Sequence, residues 1–254
     1  MKTPLKSKVN FKSGAILKEK IPPYSVVSSF LLYSGQLELG LVAANRLVVA
    51  HTNKFVIYDF WLALKEEPDR VVGLAQELTK DPLFNQAFFR DLQEHWFEHN
   101  DPATRAAWFF ILNRCSDSPY VSRGRFQEGG ITPIAVNYLK RLQLANFHLY
   151  LDTPPHVEEA LNVAEESDYL LLPVGTYSRN IFEEGKNKGP EETTLYHQSL
   201  SAKLQNMKKK WVVVYKFHSD LLKLYKGSNI TMLTEYGRPT QDTERCEELL
   251  IANF

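Results

Sequence analysis

The segment DYLLLPVGTY at residues 168–177 decides the fold class of this sequence. Its nearly continuous run of aliphatic residues is typical of a strand that is buried on both faces of a parallel sheet. Pro173 and Gly175 then mark a turn after the strand. In α/β proteins such a turn, at the carboxyl end of a strand, is where ligands bind. Residues 173–176 nevertheless offer no acid or base and only one hydroxyl group.

Strand-like and helix-like segments alternate along the rest of the chain. The other runs that predict strands lie at residues 26–32, 47–50, 147–151, 211–217, 230–236 and 248–252. Helices are predicted where a capping residue precedes a proline at the first helical position, at Asp101–Pro102, Thr132–Pro133 and Thr153–Pro154. The alternation predicts an α/β fold, with a mostly parallel sheet and helices on both faces.

Residues 66–133 break this alternation, because helical patterns dominate there until a turn-rich loop begins after residue 114. Apolar residues recur at helical spacing at positions 84, 88, 92 and 96. We therefore predict a helical insertion at residues 66–133. The main α/β domain is predicted to consist of residues 1–65 and 134–254.

Composition excludes several classes of protein. The 254 residues carry 30 Lys plus Arg and 30 Asp plus Glu, so no overall field attracts nucleic acid or an anionic membrane. No apolar run approaches the ~20 residues that span a bilayer, and the N-terminus lacks a signal-peptide core. Two cysteines are too few for a disulfide framework or a typical zinc site. We therefore expect no metal and a cytoplasmic location, including host cytoplasm or a virion.

Two runs of basic residues stand out against this neutral balance. The first twenty residues contain six lysines and one glutamate, and Lys208–Lys210 are consecutive. Because charge runs usually only keep a surface solvated, we favour solvated surface for both, with a local DNA contact as the alternative.

Several segments, in order along nearly the whole chain, resemble one family of enzymes. They are KTPL at 2–5, FFILNRCS at 109–116, ITPIAVNYLKRLQ at 131–143, LYKGSNI at 224–230 and ELLIANF at 248–254. The chain resembles the Dam-type adenine-specific DNA methyltransferases, and especially their phage-like members. The resemblance implies a Rossmann-like, S-adenosylmethionine-dependent methyltransferase fold, with a target-recognition role for the insertion. In that family the methyl group passes to the amine of an adenine flipped out of the duplex.

Two cofactor-binding segments of the family are altered in this sequence. Residues 9–11, Val-Asn-Phe, replace a glycine-rich loop that follows KTPL. After the first strand, Ser29 replaces an acid and Tyr33 replaces the first glycine of a glycine-rich turn, of which Gly35 remains. Side chains at these positions are expected to occupy space that glycine leaves for the cofactor.

The family's remaining cofactor contacts are also reduced. After the second strand, His51 replaces an aspartate that serves the cofactor side of the pocket, while Asn53 is retained. Asp152 matches a family aspartate that faces the cofactor adenine. We expect no bound cofactor, with Gly35, Asn53 and Asp152 as vestiges of its site and with Tyr33 and His51 blocking it.

The resemblance also explains why the turn at residues 173–176 carries no acid or base. The family has Asp-Pro-Pro-Tyr there, and its acid and a neighbouring carbonyl accept hydrogen bonds from the target amine. Here Pro173, Val174, Gly175 and Thr176 take the four places. Tyr177 lies one residue late, where its ring is able only to stack. The sequence therefore predicts no catalytic residue at this turn.

The first functional hypothesis is a non-catalytic partner of an active methyltransferase paralogue or of double-stranded DNA. The loop that follows residue 114 corresponds to part of the family's target-recognition surface. Its candidate DNA-binding residues, suited to phosphate contact and stacking, are Arg114, Tyr120, Arg123 and Arg125. A plain polar loop remains the alternative.

Two further hypotheses belong to other classes of function. A structural or scaffolding protein of a phage or virus would use aromatic residues of the insertion in an interface with other subunits, unless they are buried against the main domain. The residues in question are Phe88, Phe89, Trp96 and Phe97. An active or remodelled enzyme would have to use His51, Asp152, His156 or Thr176, whose spacing predicts no acid–base pair.

Overall fold

The strand predicted at residues 168–172 lies in the middle of the sheet. A computed structural model describes residues 3–81, 83–118, 121, 124–152, 161, 166–178 and 195–254. Its strands are β1 Val26–Phe30, β2 Leu47–Thr52, β3 Phe147–Leu151, β4 Tyr169–Gly175, β5 Lys210–Lys216, β6 Asn229–Leu233, β7 Pro239–Thr240 and β8 Glu248–Ala252. They form one sheet in the order β3-β2-β1-β4-β5-β8-β6-β7.

The sheet is mostly parallel, as predicted. Strands β1 to β5 pair in parallel, whereas β8 runs antiparallel to β5 on one side and to β6 on the other. The order of strands reverses between β1 and β4, because β2 and β3 lie on one side of β1 and β5 lies beyond β4. This reversal positions the candidate site.

Both faces of the sheet are covered by apolar side chains. Along β4, Leu171 belongs to one buried cluster, whereas Leu170 and Leu172 belong to another. Val212 and Val213 on β5 are divided between the clusters in the same way. Successive residues of a strand point to opposite faces, so the near-continuous aliphatic runs are explained by burial on both sides.

Helices of the described residues cover both faces of the sheet. They are α1 Gly14–Lys20, α2 Gln36–Val42, α3 Phe55–Glu66, α4 Pro68–Lys80, α5 Gln86–His95, α6 Pro102–Arg114, α7 Pro133–Lys140, α8 His197–Asn206 and α9 Ser219–Leu224. Helices α1 to α7 contribute to the cluster that contains Leu171, and α8 and α9 to the cluster that contains Leu170. Within the described residues, no helix has the length and apolar character to cross a membrane.

Two of the predicted helix starts are confirmed. The Asp101 carboxylate accepts a hydrogen bond from the Thr104 backbone N–H at 2.9 Å, and Pro102 is the first residue of α6. The Thr132 hydroxyl accepts one from the Ala135 N–H at 3.2 Å at the start of α7. The third predicted start, at residue 153, lies outside the described residues.

Between β2 and β3 lie helices α3 to α7, and aromatic residues of this stretch join the main core. Phe89 and Trp96 are buried, and Phe88 and Phe97 pack partly buried against the same cluster as Leu171. Burial against the rest of the molecule, one of the two predicted alternatives, therefore accounts for all four rings. The domain boundaries at residues 66 and 133 stay a prediction.

A buried ion pair joins the helices on this side of the sheet. Nε of Arg105 on α6 donates to the Asp59 carboxylate on α3 at 2.9 Å, and a second guanidinium nitrogen contacts the same oxygen. The side chains of Arg105 and Asp59 are only 12% and 11% exposed. The guanidinium also lies 5.1 Å from the centre of the Phe55 ring.

Candidate functional site

The carboxyl ends of β1 and β4 form the edge where the strand order reverses. In open α/β sheets, ligands bind in the crevice outside such a reversal. Three parts of the chain meet there: the turn after β1, the end of β4 and the segment of residues 3–13, here called the N-terminal segment. Gly35 and the turn at residues 173–176, both predicted site positions, fall on this edge.

The turn after β1 is packed tightly by a tryptophan. Gly35 has a φ of +67°, and a Cβ atom added to it would lie 2.9 Å from a ring carbon of Trp61. Trp61 is fully buried, and its Nε1 donates to the Tyr33 carbonyl oxygen at 2.9 Å. The ring that fills the space over Gly35 thus comes from α3, a contact that sequence reasoning missed. Steric blocking by the Tyr33 side chain itself stays a prediction.

The end of β4 is covered by the N-terminal segment. Gly175 has a φ of +77°, and a Cβ atom added there would lie 2.7 Å from a methyl group of Val9. Val9 is one of the residues that stand where the resemblance implies glycine. Thr176 is half-buried, and the Tyr177 ring lies between the rings of His197 and His218, at centroid distances of 4.5 and 4.6 Å.

Side-chain amides fasten the N-terminal segment along this edge. The Lys6 N–H donates to the Asn113 side-chain oxygen at 2.6 Å, and the Asn113 amide group donates to the Lys6 carbonyl at 3.1 Å. The Phe11 N–H donates to the Gln36 side-chain oxygen at 2.9 Å. These bonds fix the backbone on both sides of Val9.

A buried carboxylate anchors the end of the same segment. The Glu248 side chain on β8 accepts hydrogen bonds from the backbone N–H groups of Lys12 and Ser13 at 2.8 and 2.7 Å. Burial raises the pKa of Glu248, and these hydrogen bonds oppose that rise. Glu248 therefore joins the N-terminal segment to the antiparallel strand of the sheet.

Replacing Glu248 by alanine is expected to lower the free energy of unfolding by about 2 kcal/mol, because two backbone N–H groups lose their acceptor. Urea denaturation measures the loss. Glu247→Ala is the matched control, since Glu247 is exposed, and it is expected to change stability by less than about 0.5 kcal/mol. Equal effects of the two substitutions would show that Glu248 is not an anchor.

His51 and Asp152, which the sequence could not orient, form a pair. His51 Nδ1 lies 2.9 Å from an Asp152 carboxylate oxygen. The buried His51 ring stacks on Phe30 at 4.5 Å and on Tyr150 at 5.5 Å, because these residues are register partners on β1, β2 and β3. His51 Nε2 is buried as well, so the ring offers no solvent-facing base in this arrangement. Asn53 lies two residues beyond His51 and is half-buried.

Glu38 is a second residue that the sequence reasoning missed. It is buried in the first turn of α2, and its carboxylate accepts a hydrogen bond from the Ser29 hydroxyl at 2.8 Å. Burial raises the pKa of Glu38. Ser29 stands where the resemblance implies an acid, and the Glu38 carboxyl group on the following helix contacts it. The sequence signal that could have identified Glu38 is its position as a single acid within the apolar run of α2.

The predicted DNA-binding loop is only partly described, because Tyr120 and Arg123 lie outside the described residues. Arg114 is half-buried, its Nε donates to the Gly130 carbonyl at 3.2 Å, and burial lowers the pKa of its guanidinium. Arg125 is exposed. A Cβ atom at Gly130 would lie 2.2 Å from the Arg114 carbonyl oxygen, so this glycine serves close packing. DNA contact by these residues stays a prediction.

His197 occupies a fixed hydrogen-bonding position beside β5. Its Nε2 donates to the Ser178 carbonyl oxygen at 2.9 Å, and Nδ1 lies 3.0 Å from the Tyr215 hydroxyl. In the neutral imidazole, Nδ1 accepts from that hydroxyl. Burial lowers the pKa of His197 below its ordinary value.

We expect His197 to make the protein less stable in mild acid. Its lowered pKa means that the unfolded chain binds the proton more readily, so stability is full above pH about 6.5 and falls as the pH drops through the folded-state pKa. Unfolding measured from pH 7.5 to 5 is expected to show this loss, and His197→Gln to flatten it. His148→Gln, at an exposed position, is the control and should keep the wild-type profile.

The comparisons with known proteins leave the family open. No protein-family model matches the sequence. No curated protein matches it either. Among the described residues, no group of three or more His, Cys, Asp or Glu side chains is placed to hold a metal ion. The resemblance to Dam-type methyltransferases therefore rests on the sequence segments alone.

Proposed function

We propose that this chain is a catalytically inactive relative of the Dam-type adenine-specific DNA methyltransferases, acting as a non-catalytic partner or DNA-binding subunit. Its fold would be the Rossmann-like fold of S-adenosylmethionine-dependent methyltransferases. The order β3-β2-β1-β4-β5 supports this proposal, because it matches the order of the first five strands in doubly wound sheets.

The observation that carries the proposal is the packing at two glycines. Gly35 and Gly175 lie on the edge where the family's cofactor sits, and both keep a backbone conformation that favours glycine. Trp61 fills the space over the first, and Val9 fills the space over the second. A ligand that needs close backbone approach at either turn has to displace a packed side chain.

The chemistry at the same edge also supports loss of activity. Transfer to an adenine amine needs acceptors that steer its lone pair, and residues 173–176 supply no carboxylate. Asp152 is engaged by His51, and Glu38 is buried against Ser29. These two acids are therefore already committed to contacts within the chain.

Calorimetry with S-adenosylmethionine tests the proposal directly. The full chain is expected to give no binding heat up to millimolar ligand, while an active Dam-type enzyme in the same buffer serves as the positive control. Micromolar binding, or transfer of a radiolabelled methyl group to an adenine-containing duplex, would overturn the inactive assignment.

A gel shift on duplex DNA separates the two non-catalytic roles. A DNA-binding subunit is expected to shift the duplex at low salt and to release it as salt rises. Arg125→Gln should weaken that shift, whereas Arg141→Gln, also at an exposed position, should not. If the wild-type chain does not shift the duplex, the result favours the role of a non-catalytic protein partner. Co-purification with an active methyltransferase paralogue then tests that role.

A further inference from the structure

A basin lies at the amino ends of β1, β4 and β5, on the edge of the sheet opposite the candidate site. Its volume is about 540 Å³, and its lining includes Tyr24, Asp168, Tyr169 and Lys208–Lys210. These residues come from three separate parts of the chain. The basin is shallow and largely open to solvent, and Tyr24, Lys208 and Lys210 are exposed.

The basin concentrates positive charge in a chain that has no net charge. Three lysines face one acid, Asp168, whose carboxylate accepts a hydrogen bond from the Val26 N–H at 2.8 Å. The Lys210 ammonium lies 5.3 Å from the centre of the Tyr169 ring and 5.9 Å from that of Phe254. Aromatic faces hold an ammonium group in place without neutralising it, so its charge is still available to an anion.

Tyr24 presents a bare aromatic ring beside these lysines. It is 84% exposed, so its ring contributes almost nothing to packing. Its φ of +67° is a strained conformation for a bulky residue, and the chain holds it there with a 2.7 Å hydrogen bond from the Tyr24 N–H to the Asn45 carbonyl. Strained backbone conformations cluster at functional sites, so the conformation of Tyr24 is consistent with a role for its exposed ring.

We propose that this basin binds single-stranded nucleic acid, with phosphates on Lys208–Lys210 and one unstacked base on the Tyr24 ring. Lysines next to an exposed aromatic ring are the combination that single-strand binders use. An acidic peptide would satisfy the lysines but leave the ring unused, and a duplex keeps its bases stacked. The basin lies on the opposite edge of the sheet from the candidate site, so the inference does not depend on the proposed function.

Fluorescence anisotropy with a labelled oligothymidine of about fifteen nucleotides tests the inference on the full chain. Tyr24→Asn is expected to weaken binding about tenfold, because stacking of one base is lost. Asparagine tolerates the left-handed backbone, so the turn is kept, and thermal melting checks the fold. Tyr236→Asn is the matched control, since Tyr236 is 79% exposed, and it should bind like wild type.

The charge contribution is read from the salt dependence. Lys208→Gln with Lys210→Gln should lower the slope of log affinity against log salt by about 1.4, from two lost phosphate contacts on a single strand. Lys223→Gln with Lys226→Gln removes two charges elsewhere on the chain and should leave the slope unchanged.

Three results would overturn the inference. The first is that the wild-type chain does not bind the oligothymidine at low salt. The second is that Tyr24→Asn and the double lysine variant both bind it with wild-type affinity. The third is equally effective competition by polyglutamate, which would assign the basin to an acidic protein segment instead.

Discussion

Replacing Arg105 by methionine is expected to lower the free energy of unfolding by about 3 to 5 kcal/mol, because a buried charge that loses its counter-charge costs far more than the pair itself contributes. The substitution keeps an unbranched side chain on α6 but leaves the Asp59 carboxylate buried without its partner. Urea denaturation, followed by tryptophan fluorescence, measures the difference.

An exposed arginine on the neighbouring helix provides the control. Arg70 on α4 pairs with Glu67 and Asp101, but about half of its side chain is in solvent. Arg70→Met is expected to cost clearly less than Arg105→Met, since exposed pairs are screened by water. Adding Asp59→Leu to Arg105→Met should restore part of the loss. If the two arginine variants are equally stable, the Arg105 pair is not buried in solution.

Trp61→Ala is expected to destabilise the protein by a similar amount, about 3 to 5 kcal/mol, because it removes a fully buried ring and leaves a cavity. The ring packs edge-on against Phe60 and Phe147 and lies over Gly35, so its loss affects the core and the candidate site together. Thermal and urea unfolding measure the change.

Trp108 is the control for Trp61. It is only partly buried and contacts the His99 ring at the surface of α6, so Trp108→Ala should cost clearly less than Trp61→Ala. A loss below about 1 kcal/mol in Trp61→Ala would mean that the turn at Gly35 relaxes into the vacated space.

The sheet could be predicted from the sequence because burial on both faces leaves a local pattern. Runs of aliphatic residues are enough to identify β4 and β5, and capping signals are enough to identify the starts of α6 and α7. Strand direction leaves no such mark, so the antiparallel course of β8 was not predicted. The predicted strand at 168–172 also ended too early. Pro173 was interpreted as a stop, but it fits beside a register shift between β4 and β5.

The location of the candidate site could be predicted from the sequence, but the side-chain contacts within it could not. The edge was predictable because ligand sites follow the carboxyl ends of parallel strands. The pairing of His51 with Asp152 depends on the register of β2 and β3, which no spacing in the sequence encodes. The same holds for Val9 against Gly175, a contact between the N-terminal segment and the middle of the sheet.

The bond between Glu248 and the backbone of Lys12 and Ser13 also sets an order of events during synthesis. The residues that it joins are 236 and 235 positions apart, so it cannot form until β8 has left the ribosome. Contacts between such distant positions close slowly and late. The nascent chain therefore carries Lys12 and Ser13 without their acceptor while the parallel strands are being made, and the arrival of β8 fastens them.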